Sequence, residues 1–92
     1  MTDSVSVLVV DDNVDLAEDV QEILEDEGLD VDIAANGAEA LEKLESRSYD
    51  LVLTDMKMPE IGGLELVRRI KARAPETPIL LMTAYTDHDT LE

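Results

Sequence analysis

Apolar and polar positions along this chain alternate between two rhythms. Residues 4–10 read SVSVLVV, an uncharged β-branched run that ends abruptly at Asp11-Asp12-Asn13. A continuous apolar run of this kind suits a strand covered on both faces, as in a parallel sheet. From Asn13 to Glu27 the period becomes helical. Leu16, Val20, Ile23 and Leu24 form an apolar stripe and acids fill most other positions. Gly28 is placed to end this helix as its C′ residue. Residues 29–34 alternate Leu29, Val31 and Ile33, which predicts a short strand. Asn36, followed three residues later by Glu39, predicts an N-cap. The helix it opens carries Ala40, Leu41 and Leu44 and runs to about Arg47. Residues 49–54 (YDLVLT) predict another buried strand, ending at Asp55. Residues 56–63 read as a loop, with Pro59 and the Gly62-Gly63 pair as breakers. Residues 64–74 are helical, with Leu66, Val67, Ile70 and Ala74 on one face. Ile79 to Met82 predicts a fourth strand, ending at Thr83. Thr86 is placed to cap a further helix, with Asp87 and Asp89 in its first turn.

Strands that alternate with helices of this length imply βαβ units and a parallel sheet with helices on both faces. The chain is therefore expected to be a single α/β domain over residues 1–92, without internal repeats or linkers. Composition narrows its chemistry. There is no cysteine, so disulfides and thiolate metal sites are excluded. His88 is the only histidine, and between Asp87 and Asp89 it reads as a solvated surface residue. Lys plus Arg is 7 and Asp plus Glu is 23, a net charge of −16. That charge repels phosphate backbones and anionic lipid, which argues against direct binding of nucleic acid or membrane. No apolar run approaches the ~20 residues of a membrane span, and the first residues lack a signal-peptide pattern. The expected location is the cytoplasm. The acid excess, with only three lysines, also suits a protein working in high salt, where self-repulsion is screened.

In open α/β sheets, ligands bind beyond the carboxyl ends of the strands. Asp11 and Asp12 follow the first strand, Asp55 the third and Thr83 the fourth. If those strands are neighbours, three carboxylates and a hydroxyl meet on one rim. Carboxylates ~5 Å apart repel by roughly 3 kcal/mol per pair at an effective dielectric near 20. A hard divalent cation offsets that best, and Mg²⁺ takes one or two carboxylates plus waters and phosphate oxygens. A remaining carboxylate is free to act as a nucleophile toward phosphorus.

The segments VLVVDD, LVLTDMKMPEIGG and ILLMTA together closely resemble the receiver domain of two-component response regulators, over residues 5 to about 90. The resemblance implies a three-layer, flavodoxin-like, doubly wound parallel sheet of strand order 2-1-3-4. It implies that Asp55 accepts a phosphoryl group from a histidine kinase and that the domain then acts as a conformational switch. Asp12 and Asp55 would bind Mg²⁺ directly, Asp11 directly or through water, and the backbone carbonyl of Lys57 would complete the protein ligands. Thr83 would hydrogen-bond the phosphoryl group and pull its loop inward. Ala84 would leave room for phosphodonors. Lys57 and Tyr85 would flank the entry of attacking water, with Tyr85 tuning the lifetime of the aspartyl phosphate. Pro59, Gly62 and Gly63 would shape the loop after Asp55. The partners implied are a sensor histidine kinase or phosphotransfer protein, and an output domain or protein on the side of the fourth helix.

The family also has a fifth strand and helix, which need ~25 further residues. The sequence stops before them, so the domain is expected to be incomplete at its C-terminal side. The lysine that the family carries at the end of the fifth strand has no counterpart. An interaction module that keeps the fold without phosphotransfer is therefore the alternative. An exposed fourth strand would also favour self-association. A true enzyme of the aspartyl-nucleophile phosphatase type is disfavoured, since those use an Asp-x-Asp motif and Asp11 and Asp12 are adjacent. A dinucleotide site is disfavoured because the first βα turn, DDNVD, lacks glycine.

Overall fold

A computed structural model describes residues 5–55 and 63–82. The chain forms β1 (Ser6–Val10), α1 (Val14–Asp26), β2 (Asp30–Ala34), α2 (Gly37–Ser46), β3 (Leu51–Asp55), α3 (Gly63–Arg73) and β4 (Ile79–Met82). The four strands make one parallel sheet of order β2-β1-β3-β4. Strand alternation divides the core in two. Leu8, Val10, Ala34 and Val52 pack with Ala40 of α2 and Leu66 and Ile70 of α3 on one face. Val7, Val9 and Val31 pack with Ala17 of α1 on the other, joined by Val20, Leu24, Leu51 and Leu53. The sheet thus has α2 and α3 on one side and α1 on the other, which is the three-layer arrangement implied by the sequence. No described helix is long and apolar enough to cross a membrane.

Local chemistry sets the helix ends. The side chain of Asn13 accepts from the Leu16 amide at 3.1 Å, and that of Asn36 from the Glu39 amide at 2.8 Å, so both cap their helices. Helix α1 ends in a Schellman motif. The Gly28 amide donates to the Glu25 carbonyl at 3.0 Å and the Leu29 amide to the Leu24 carbonyl at 3.2 Å. Gly28 takes φ +90°, where a side chain would be strained. Leu29 therefore closes α1 and joins Leu24 in the core, and β2 begins one residue later than alternation suggested.

Other boundaries also differ from expectation. β1 begins at Ser6, because Val5 is already exposed. α2 ends at Ser46, with Arg47 as its extended C-cap. β3 runs from Leu51 through Asp55, so Asp55 is the last residue of the strand. Gly63, expected in the loop, is instead the first residue of α3. First-turn amides need no intrahelical partner, so a glycine there costs less than in a helix interior. The stripe on α1 is also displaced. Ala17 is fully buried, with Val20 and Leu24 packed beside it, whereas Leu16 is 37% and Ile23 63% exposed. Gln21 lies on the inner side as well, where its amide donates to the Val31 carbonyl at 2.9 Å. The sheet draws α1 in over its smallest residue and leaves the bulky Leu16 and Ile23 at the margins.

Candidate metal centre

Register brings the acids together. Val10 pairs with Thr54 in adjacent strands, so the next residues, Asp11 and Asp55, stand side by side at the carboxyl edge of the sheet. Asp12 follows at the start of the connection to α1. Asp11, Asp12 and Asp55 each offer a carboxylate oxygen, and these oxygens lie within 4.8 Å of one another. Asp11 and Asp55 are buried, and Asp12 is exposed.

Asp11 is held on two sides. Its amide donates to the Ala34 carbonyl at 3.1 Å, which extends the β1–β2 ladder. Its Oδ1 accepts from the Asn13 amide at 2.9 Å. Asn13 therefore braces the acid through its backbone and caps α1 through its side chain. Burial pushes the Asp11 carboxyl above its ordinary value of 3.8. Repulsion from Asp55 and Asp12 and a hydrogen bond with Asp55 push the same way, against the opposing Asn13 amide. Packed carboxylates that resist ionising together are stabilised by a hard cation. The donors here are all oxygens, of the kind Mg²⁺ prefers, and the exposed Asp12 leaves an open side for water and a substrate oxygen. The residues present fit that ion.

The model of the response regulator receiver domain matches residues 7–92. The chain belongs to this family. The receiver is 46% identical over 85 residues to a response regulator receiver protein of Anaeromyxobacter sp. (strain Fw109-5), which covers 92% of this chain and 36% of the relative. It is 42% identical over 88 residues to the transcriptional regulatory protein ZraR of Klebsiella oxytoca, covering 96% of this chain and 20% of that protein. The chain thus spans only 36% and 20% of the length of these two curated relatives. Among solved structures it resembles the response regulator TrrA of Thermotoga maritima in complex with Mg²⁺-BeF, with a TM-score of 0.84 and 42% identity over 94% of this chain and 75% of that one. TrrA has also been seen in complex with the histidine kinase ThkA, where the TM-score is 0.83 and identity 43%, over 91% of this chain and 72% of TrrA. Receivers of this family are phospho-accepting switches of two-component systems rather than classical enzymes.

The structure brings Asp11, Asp12 and Asp55 together. Lys57, Pro59, Gly62, Thr83, Ala84 and Tyr85 lie outside the described residues, as does His88. Two residues beside the acids escaped the sequence reading. Asn13 was read only as the start of the helical period, neither as the cap of α1 nor as the brace of Asp11. Thr54 looked like an ordinary strand residue; only the register shows it buried between Val10 and Leu81.

Proposed function

We propose that this receiver takes a phosphoryl group onto Asp55 from the phosphohistidine of a sensor histidine kinase or phosphotransfer protein. The observation that carries this reading is the meeting of three carboxylates within 4.8 Å at the carboxyl edge of the sheet. An Asp55 oxygen attacks phosphorus, the phosphorus–nitrogen bond breaks, and the imidazole nitrogen leaves with the electron pair. Asp11, Asp12, Asp55 and the Lys57 carbonyl would hold Mg²⁺. When bound, the ion supplies positive charge against the carboxylates and the phosphoryl oxygens. Asp11, braced by Asn13, keeps its oxygen aimed at the site without rearrangement.

Thr83 donates its hydroxyl to a phosphoryl oxygen, Ala84 leaves the donor's path open, and Lys57 and Tyr85 flank the water that later hydrolyses the product. Pro59 and Gly62 shape the segment between Asp55 and α3. The switch passes its state to an output domain or protein on the side of the fourth helix, in the cytoplasm. The complexes of TrrA with Mg²⁺-BeF and with a histidine kinase support the ion and the partner class. A fold-only interaction module is not favoured, since the acid set is complete.

The test is an amide-resolved NMR titration with Mg²⁺ and then beryllium fluoride, which stands in for the phosphoryl group. Shifts centred on Asp11, Asp12 and Asp55, lost in Asp55→Asn, are the expected result. A spectrum that responds identically in Asp55→Asn would overturn the assignment.

A further inference from the structure

Thr54 is a polar residue in an apolar place. It is fully buried, on the same side of β3 as Val52, which packs with Leu8, Val10, Leu66 and Ile70. A valine has the same shape and would carry no hydroxyl into this layer. A buried hydroxyl costs free energy unless it is hydrogen-bonded. The Thr54 hydroxyl donates to the main-chain carbonyl of Asp55, at 3.2 Å. That carbonyl belongs to the last residue of β3, at the end of its pairing with β4. Pinning it restricts rotation about the Asp55 Cα–C bond. The carboxylate then keeps mainly its own side-chain torsions, and it must lie within 4.8 Å of two other acids.

We propose that Thr54 is a positioning residue for the reaction at Asp55: its buried hydroxyl fixes the acceptor's main-chain carbonyl and so holds the acceptor carboxylate in line with Asp11 and Asp12. The inference rests on the reading of Asp55 as phosphoryl acceptor. The hydroxyl touches neither the metal nor the phosphoryl group; it acts through the backbone. Its contribution is preorganisation, which raises affinity for the phosphoryl-like state without adding a contact to it.

The experiment compares the parent chain, Thr54→Val, Thr54→Ser and Asp55→Asn. Each is titrated with beryllium fluoride at saturating Mg²⁺ and unfolded in urea. Losing one net hydrogen bond corresponds to an affinity loss of about five-fold. Thr54→Val is expected to show that loss while its urea midpoint stays level or rises, because an apolar methyl replaces a buried hydroxyl. Thr54→Ser is expected to bind within about two-fold of the parent although its lost methyl lowers the midpoint. A purely structural Thr54 predicts the reverse, with affinity following stability in both variants, and that pattern overturns the inference. So does parent-like binding by Thr54→Val. If Asp55→Asn binds like the parent, or the parent does not bind, the acceptor reading falls and this inference with it. Loss of binding in Asp55→Asn with unchanged Thr54→Val removes the Thr54 role alone.

Discussion

Tyr49 donates its hydroxyl to Asp32 across 2.5 Å, tying the segment before β3 to the middle of the edge strand β2. Arg47 lies 4.8 Å over the Tyr49 ring and bridges Asp32 at 3.0 Å and Asp30 at 3.2 Å. Charges on an edge strand discourage pairing with other chains. Here they are also bound to the body of the domain. Tyr49→Phe keeps the buried ring and removes the donor, leaving Asp32 paired with Arg47. Urea denaturation should show a loss of about 1 kcal/mol. Burial first, and then the bond to Asp32, raise the Tyr49 hydroxyl above its ordinary value of 10.0. A group raised on folding keeps its contribution below its unfolded value and loses it only as pH rises through the folded one. The difference between parent and variant should therefore be flat from neutral pH to about 10. A difference that fades already near pH 8 would contradict this.

Asp11 gives a pH dependence in a lower window. Its carboxyl is raised by burial and by the neighbouring acids, so the folded chain favours the protonated form. Its contribution is fully present below the ordinary value of 3.8 and is lost as pH rises through the raised value. Asp11→Asn keeps an oxygen to accept from the Asn13 amide and carries no charge. Thermal melts in EDTA at neutral pH should place Asp11→Asn above the parent, with the gap closing toward pH 4. Added Mg²⁺ should stabilise the parent and leave the variant nearly unmoved. A metal-free variant that melts below the parent at pH 7 would refute the argument.

The net charge of −16 predicts a chain that gains stability with salt. Screening shortens from about 10 Å at 0.1 M to about 3 Å at 1 M. The melting temperature should climb between dilute buffer and molar KCl, in EDTA as well as in Mg²⁺. Melting independent of KCl would show that repulsion among the acids contributes little.

Among the described residues β4 pairs only with β3, and Leu80 is 56% exposed. Its register partner Leu53 belongs to the α1-side core. An apolar edge of this kind pairs with other chains. Sedimentation velocity of the 92-residue chain should show concentration-dependent association that Leu80→Lys weakens. A single monomer boundary in both, across a wide concentration range, would remove the prediction.

What could be read from the sequence was whatever depends on neighbours a few residues apart. Apolar runs announced β1, β3 and β4, and alternation announced β2. Asn36 and Gly28 announced helix ends, since a cap is made within one turn. The positions of Asp11, Asp12 and Asp55 at strand ends announced the candidate chemistry. Their proximity did not follow from spacing, because it requires β1 and β3 to be adjacent and in one register. The resemblance to receivers implied that order, and the sheet realises it.

The buried side of α1 shows the limit. Leu16, Ala17, Val20, Ile23 and Leu24 are all apolar and share one face spanning about 120°, so periodicity marks that face but not which of its residues lies innermost. Close approach to the sheet rewards the small Ala17, so Ala17 goes inside and Ile23 outside. Thr54 is a second case. Nothing in LVLTD distinguishes its hydroxyl from that of a surface threonine until strands on both sides bury it against the α2–α3 layer. Local rules set where elements begin, end and carry charge. Which faces meet, and so which carboxylates and hydroxyls become neighbours, depends on contacts between distant residues and was decided only in the folded sheet.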